Sequence, residues 1–241
     1  MAASIDTAEV ARFDALAGQW WDLDGPMRAL HRLNPVRVAF LRDTLCRQHG
    51  RDPQARRPLK GLRLLDIGCG AGILAEPLAR LGAAVTGIDA AGEAVAAARA
   101  HAEALDLAID YRQGAIEDLS ETFDAVLAME VVEHVADLAG FLNACTARVG
   151  PGGMMFCATL NRTWKSYALG ILAAEYLLRW VPPGTHDWKR FVTPQELSAT
   201  LAAAGLTVER LAGIAYDPLA DRFALTDDLA VNYLVAARRA A

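Results

Sequence analysis

Leu64-Leu-Asp-Ile-Gly-Cys-Gly-Ala-Gly72 carries an apolar run into an acid, Asp66, and then into three glycines spaced as Gly68-x-Gly70-x-Gly72. A helix-like segment follows at once. Glycine at such a turn lets the backbone bend tightly and approach a ligand with no Cβ in the way. Where a strand turns into a helix, exposed N–H groups make a seat for a nucleotide-type ligand. The spacing differs from the G-x-G-x-x-G of dinucleotide binders. Another acid, Asp89, closes the next apolar run, Ala84-Val-Thr-Gly-Ile-Asp89. A carboxylate at the end of a second strand can accept both hydroxyls of a ribose.

Outward from this turn, strand-like and helix-like stretches alternate. Strands are expected over 62–66, 84–88, 109–112, 123–129 and 153–159, with helices over 72–81, 91–105 and 137–148 between them. That alternation predicts an α/β fold, a mostly parallel sheet with helices on both faces. Past Pro194 a helix over 195–204 ends at Gly205, and two late strands, 206–216 and 231–238, are joined by a polar turn around Asp217-Pro218. Ahead of the sheet, residues 8–49 read as helices with a break near Gly25-Pro26. Asp6 and Thr7 offer a helix start, and Pro35 suits the first turn of the second helix. Gly50 to Pro58, polar and basic with two prolines, reads as a linker. The division expected is 1–58 as an N-terminal helical cap and linker and 59–241 as the sheet domain, with a helical insertion at about 160–193.

A chain of 241 residues suits one sizeable α/β domain with added elements. Its net charge of −5 argues against general nucleic-acid binding, which needs a basic footprint. The balance is uneven, however. Residues 28–63 hold ten cations (Arg28, Arg32, Arg37, Arg42, Arg47, Arg51, Arg56, Arg57, Lys60 and Arg63) against Asp43 and Asp52. A solvated helix and linker would explain them, as would a local patch that meets anionic lipid headgroups or a cofactor carboxylate. Cys46, Cys69, Cys145 and Cys157 have neither metal-type nor disulfide-framework spacing, and three sit in apolar surroundings. A reducing, cytosolic setting fits them. The first ten residues lack the basic and then apolar pattern of an export signal, and no run reaches the roughly eighteen apolar residues of a membrane span.

Four further stretches bear on chemistry. Gly114-Ala-Ile-Glu-Asp118 follows the third strand and puts an apolar and an acidic group where an adenine would lie; Glu117 reads equally as an ordinary helix-start acid. Met129-Glu130-Val-Val-Glu133-His134 lies just past the fourth strand, on the crevice side of an open α/β sheet. If Glu130 opens a helix, Glu133 and His134 project one turn later. Two carboxylates and an imidazole could hold a divalent ion that draws a substrate hydroxyl toward its anion. The plainer reading is a helix-start cluster with His134 hydrogen-bonded to substrate or backbone. In the insertion, Tyr167 to Val181 forms an almost continuous apolar helix interrupted by Glu175 and Arg179, an i,i+4 ion pair. It is either a buried helix or an amphipathic lid on a membrane surface, to which Trp180, Trp188, Lys189 and Arg190 would be suited. Near the N-terminus, Trp20-Trp21 reads as core packing, while Arg37 could grip a carboxylate in bidentate fashion.

The pairing of the glycine turn with Asp89 resembles the S-adenosylmethionine site of class I methyltransferases. Five outer motifs resemble one family within that class: Phe13-Asp-Ala-Leu-Ala-Gly-Gln-Trp-Trp-Asp22, Leu30-His-Arg-Leu-Asn-Pro-Val-Arg37, Met129-Glu-Val-Val-Glu-His-Val135, Thr159-Leu-Asn-Arg162 and Val181-Pro-Pro-Gly-Thr-His-Asp187. These are similar to the ubiquinone biosynthesis O-methyltransferases, from about residue 10 to the C-terminus. The resemblance implies a Rossmann-like class I methyltransferase fold, with a mostly parallel seven-stranded sheet and an antiparallel edge strand. It implies S-adenosyl-L-methionine as methyl donor, contacted by Arg37, Gly68, Asp89 and Met129, with Asp66, Gly70 and Glu117 completing the expected donor site. It also implies Mg2+ on Glu130, Glu133 and His134, and catalytic roles for His134 and Glu130 in forming the phenolate. The acceptors implied are polyprenylated phenols and quinols, specifically a polyprenyl catechol and a demethylubiquinol. The expected setting is the cytoplasm, peripheral to the inner membrane, with a lipid surface met through about 160–190, other ubiquinone biosynthesis enzymes as partners, and no nucleic acid. Two other readings stay open at this point, a methyltransferase of a soluble metabolite and a non-catalytic S-adenosylmethionine-binding module. A nicotinamide oxidoreductase fits the glycine spacing poorly.

Overall fold

The structure is a computed structural model that describes residues 7–168, 187–217 and 220–241. In chain order its strands are β1 (Arg63–Ile67), β2 (Ala84–Asp89), β3 (Asp110–Gln113), β4 (Phe123–Met129), β5 (Val149–Leu160), β6 (Leu206–Asp217), β7 (Arg222–Thr226) and β8 (Asn232–Arg239). The helices are α1 (Thr7–Ala15), α2 (Arg28–Gln48), α3 (Ala75–Arg80), α4 (Gly92–Ala104), α5 (Leu138–Arg148), α6 (Trp164–Ser166) and α7 (Pro194–Ala203). All eight strands join one sheet in the order β3-β2-β1-β4-β5-β8-β6-β7. The first five run parallel; β8 is antiparallel to both of its neighbours, β5 and β6.

The central strands are mostly apolar because both faces are covered. Alternate residues divide between two cores, as the two-residue period of a strand requires. On one face Leu64, Leu127 and Phe156 pack with Leu33, Phe40, Leu41 and Leu45 of α2. On the other, Leu65, Val126 and Met155 pack with Phe141 and Leu142 of α5 and with Leu197 and Leu201 of α7. Thus α2 lies directly on the sheet. Phe40 is fully buried there, and cutting it to alanine would cost about 3–5 kcal/mol.

The fold is the expected Rossmann-like one, with three local departures. The sheet has eight strands rather than seven, because the stretch expected to be only a polar turn between the late strands also contains β7. It pairs antiparallel with β6 and lies along α2, where Asp221 just ahead of it accepts from Arg32. Helix α2 begins at Arg28, soon after the expected break, and Pro35 sits inside it rather than in its first turn. Seven buried side chains along this helix outweigh the one backbone hydrogen bond that proline cannot make. Finally, α3 starts at Ala75, since Gly72 is still in the left-handed region with φ +87°. The linker at 50–58 is a loop tied down by Arg51, whose guanidinium donates to the carbonyls of Pro58 and Lys60. All four cysteines are buried and free.

Candidate functional site

The carboxyl ends of β1, β2 and β4 open onto one crevice, and the glycine turn forms its floor. Gly68 has φ +68°, and a Cβ there would come within 2.5 Å of Val131 Cγ2. Gly70 has φ +51°, and a Cβ there would lie 2.1 Å from the ring of Trp20. Only glycine meets both demands, the left-handed backbone and the close approach. The turn is fastened to β2: Gly68 N–H donates to the Ile88 carbonyl over 2.8 Å. Asp89 fastens it too, with Oδ2 accepting from Gly70 N–H and Oδ1 from Ala91 N–H, both at 2.8 Å. Burial raises the Asp89 pKa, and these backbone donors pull against the rise.

Asp66, near the end of β1, is 2 % exposed and its Oδ2 makes no hydrogen bond. Burial, and then the Asp89 carboxylate, push its pKa up from 3.8 to about 7, against the pull of Arg37. Arg37 itself is buried in α2, with Nε unpartnered and a terminal nitrogen 2.6 Å from Glu130 Oε1. Unmatched polar atoms of opposite character, a carboxyl oxygen and a guanidinium N–H, thus both belong to residues lining the crevice. That pairing fits a ligand with an ammonium and a carboxylate at one end. The amino-acid end of S-adenosylmethionine has both.

Glu130 does not open a helix, contrary to the sequence expectation. It follows β4 in the left-handed region, φ +56°, with its N–H donating to the Ala158 carbonyl over 2.9 Å. Helix α5 starts only at Leu138, capped by Asp137, whose carboxylate accepts from Gly140 N–H. Residues 130–136 therefore form a turn, in which the Glu130 and Glu133 carboxyls stay neighbours while each also takes partners from other elements. Glu130 Oε1 takes Arg37 and, at 3.1 Å, Nδ2 of Asn232. Glu133, 4 % exposed, accepts from Thr159 Oγ1 over 2.8 Å. Burial first, and the neighbouring Glu130 carboxylate second, push Glu133 well above the usual carboxylate range and favour its protonated form. His134 meets the Phe13 ring edge to face, centroids 5.9 Å apart. Among the described residues no three His, Cys, Asp or Glu side chains converge in a way that could hold a metal ion. The expected Mg2+ on Glu130, Glu133 and His134 does not fit this arrangement, because Glu130 is taken up by Arg37 and Asn232, burial favours the protonated form of Glu133, and no third ligand gathers with them.

The crevice is lined by Asp66, Gly68, Asp89, Met129, Glu130, Glu133 and His134 from the sheet side, and by Arg37 from α2. Two expected donor residues are not in its wall. Gly70 is covered by Trp20. Glu117 is exposed on the short turn Ile116–Asp118, where Asp118 folds back onto Ala115 N–H at 2.8 Å; Gly114, Ala115 and Ile116 line the crevice in its place. Sequence reasoning missed the roof, made by Phe13, Trp20, Met27 and Leu30 of the N-terminal segment. The tandem tryptophans were its signal, but they read as core. Asn232 and Thr159, the partners of the two carboxyl groups, had no role assigned; Thr159 opens the Thr159-Leu-Asn-Arg162 motif, whereas nothing local marks Asn232.

Of the insertion, residues 169–186 lie outside the described residues, and with them most of the apolar helix at 167–181 and its Glu175–Arg179 pair. The described ends of the insertion meet each other: Trp188 Nε1 donates to the Thr163 carbonyl over 3.0 Å. Trp164 is 80 % exposed there, with Tyr167 and Trp188 also exposed. Among the described residues no helix is long and apolar enough to cross a membrane.

A methyltransferase-domain family model matches residues 34–211. The ubiquinone biosynthesis O-methyltransferase of Methylobacterium sp. (strain 4-46) is 55% identical over 99% of this chain and 97% of its own length. That of Methylocella silvestris is 56% identical over 98% of this chain and 95% of its own. Among solved structures, the magnesium protoporphyrin IX methyltransferase of Synechocystis PCC 6803 with bound SAH superposes with a TM-score of 0.68. It covers 98% of this chain and all of its own at 18% identity, a likeness of fold. With identity above one half along nearly its full length, the chain belongs to the ubiquinone biosynthesis O-methyltransferase family.

Proposed function

We propose that this chain transfers the methyl group of S-adenosylmethionine to a phenolic oxygen of polyprenylated catechol and demethylubiquinol intermediates. The observation that carries the reading is the crevice itself. A glycine turn backed by Asp89, an unmatched carboxyl–guanidinium pair and the Glu130–His134 turn all share one apolar-roofed cavity. Asp89 would take the ribose hydroxyls, while Asp66 and Arg37 would take the ammonium and carboxylate of the donor. When bound, S-adenosylmethionine supplies an activated methyl on a cationic sulfur. The protein's own tasks are alignment and removal of the acceptor's proton. Glu130 Oε1 is already engaged by Arg37 and Asn232, which favours the imidazole of His134 as proton acceptor. The apolar side chains of Phe13, Trp20 and Met27 exclude water from that transfer.

A polyprenyl tail partitions into lipid, so the acceptor reaches the crevice from a bilayer. The exposed Trp164, Tyr167 and Trp188, with Lys165 and Lys189 beside them, support a peripheral contact through about 160–190 on the cytoplasmic face of the inner membrane. Since such intermediates do not cross water freely, other ubiquinone biosynthesis enzymes are proposed as partners in handing them on. The test is methylation of a short-chain demethylubiquinol analogue by purified protein under reducing conditions, with and without a chelator. Transfer should occur, and turnover should stay within about twofold in chelator, because no three candidate ligands gather among the described residues. No transfer would overturn the function; a collapse in chelator would overturn the metal-free site.

A further inference from the structure

Glu130 is held by Arg37 and Asn232, and the second of these has no place in the chemistry so far. Asn232 opens β8 directly opposite Leu160, the last residue of β5. That register sets it at the carboxyl ends of the parallel strands, where Glu130 follows β4. Its Nδ2 donates to Glu130 Oε1 over 3.1 Å, onto the same oxygen that Arg37 holds. Its own Oδ1 is buried and makes no hydrogen bond. A buried amide oxygen without a donor carries a desolvation cost that an apolar side chain of the same size avoids. What the amide offers here and a leucine would not is its bond to Glu130. Glu130 needs such an outside hold, because its backbone sits in the left-handed region at φ +56°. A carboxylate at position 232 would repel Glu130, and a cation would compete with Arg37; a neutral donor satisfies both constraints.

We infer that Asn232 is a positioning residue for methyl transfer, fixing the Glu130 carboxylate from the last strand so that Glu130 and His134 keep one geometry around the acceptor hydroxyl. This rests on the reading of Glu130 as part of the acceptor machinery. The test is a double-mutant cycle on the full-length protein, combining Asn232→Leu with Glu130→Gln. It reads kcat and KM for the quinol analogue, and S-adenosylhomocysteine affinity by calorimetry. Asn232→Leu should bind S-adenosylhomocysteine like the wild type and lose about 10- to 100-fold in kcat, with no further loss when added to Glu130→Gln. Asn232→Asp, nearly isosteric, should lose more than Asn232→Leu. The inference is overturned if Asn232→Leu or Asn232→Asp keeps kcat within about twofold of wild type. It is equally overturned if the loss from Asn232→Leu is the same in the Glu130→Gln background, since that marks a general structural effect. Failure of the function reading looks different, because the wild type itself would then transfer no methyl group.

Discussion

Asp66 is a carboxyl group with almost no water around it, one oxygen without a donor, and Asp89 close enough to repel its charge. A fold assembled for stability alone would place an apolar residue there. Its pKa of about 7 makes the residue visible in the pH dependence of stability. An acid whose pKa is higher folded than unfolded binds extra protons in the folded state between the two values. Stability should therefore decline as pH rises from about 4 to 7, with the full penalty in place above 7. Asp66→Asn removes the penalty. Measured by urea unfolding without ligand, the variant should gain up to about 4 kcal/mol over wild type at pH 8 and less than about 2 kcal/mol at pH 5. The same variant should bind S-adenosylmethionine less tightly, because a neutral amide attracts an ammonium less than a carboxylate does. A gain independent of pH would mean that the burial of Asp66 carries no titration cost.

The N-terminal roof is the element whose contribution is most separable from the rest. Trp20, Met27, Ala71, Ile73, Ala91 and Ala94, with Phe13, Trp21 and Leu30 against them, form a cluster apart from the two main cores. Trp21 is its clasp: the ring stacks on His101 with centroids 3.6 Å apart, and its Nε1 donates to the Ala71 carbonyl in the glycine turn. His101 is steadied in turn by Glu76 at 2.6 Å. Losing one stack and one hydrogen bond should weaken roof docking by about 2 kcal/mol. Trp21→Ala should then raise the Kd for S-adenosylhomocysteine by up to about thirtyfold while moving the urea midpoint little, since neither main core is touched; an unchanged Kd would show that the roof does not act on the donor. Elements of this kind were the hard ones to read in the sequence. The glycine turn was legible because Gly68 and Gly70 answer local demands of backbone angle and space. The central strands β1, β4 and β5 were legible because burial on both faces leaves largely apolar runs. Glu130 was misread because a left-handed residue just past a strand looks like a helix start. Strand β7 was missed because Arg222–Thr226 is a five-residue edge strand with no fully buried residue, so its Phe223–Leu225 alternation is too short to stand out from a turn. The roof was missed because an apolar helix that covers a crevice and one that covers a core have the same pattern. The hold of Asn232 on Glu130 spans 102 positions and has no local trace.

At the scale of the whole molecule, charge and apolar exposure argue in opposite directions about a membrane. The chain carries −5 in total, so an anionic bilayer repels it on average. The proposed membrane contact would then need a local patch, and the described ends of the insertion offer a candidate. Thr163 and Trp188 are joined by a hydrogen bond, with Trp164 at 80 % exposure next to them. The patch lies near the carboxyl end of β5, on the side of the sheet where the crevice opens. One cation in it, Lys165, is already paired with Asp228 at 2.5 Å, which leaves burial of the indole rings as the main source of binding. A sign follows for the effect of salt. Screening weakens the long-range repulsion between like-charged protein and bilayer, whereas the burial of aromatic rings hardly responds to it. Binding to liposomes with anionic lipid should therefore hold steady or strengthen between about 0.05 and 0.5 M salt, whereas binding through a basic patch would fall. In flotation assays the double variant Trp164→Ala/Trp188→Ala should lose most of the bound fraction, yet still methylate a water-soluble short-chain analogue at close to the wild-type rate. Equal flotation of the two proteins would remove this patch as the point of contact, and a steep loss of wild-type binding with salt would move the contact to the basic residues between 28 and 63.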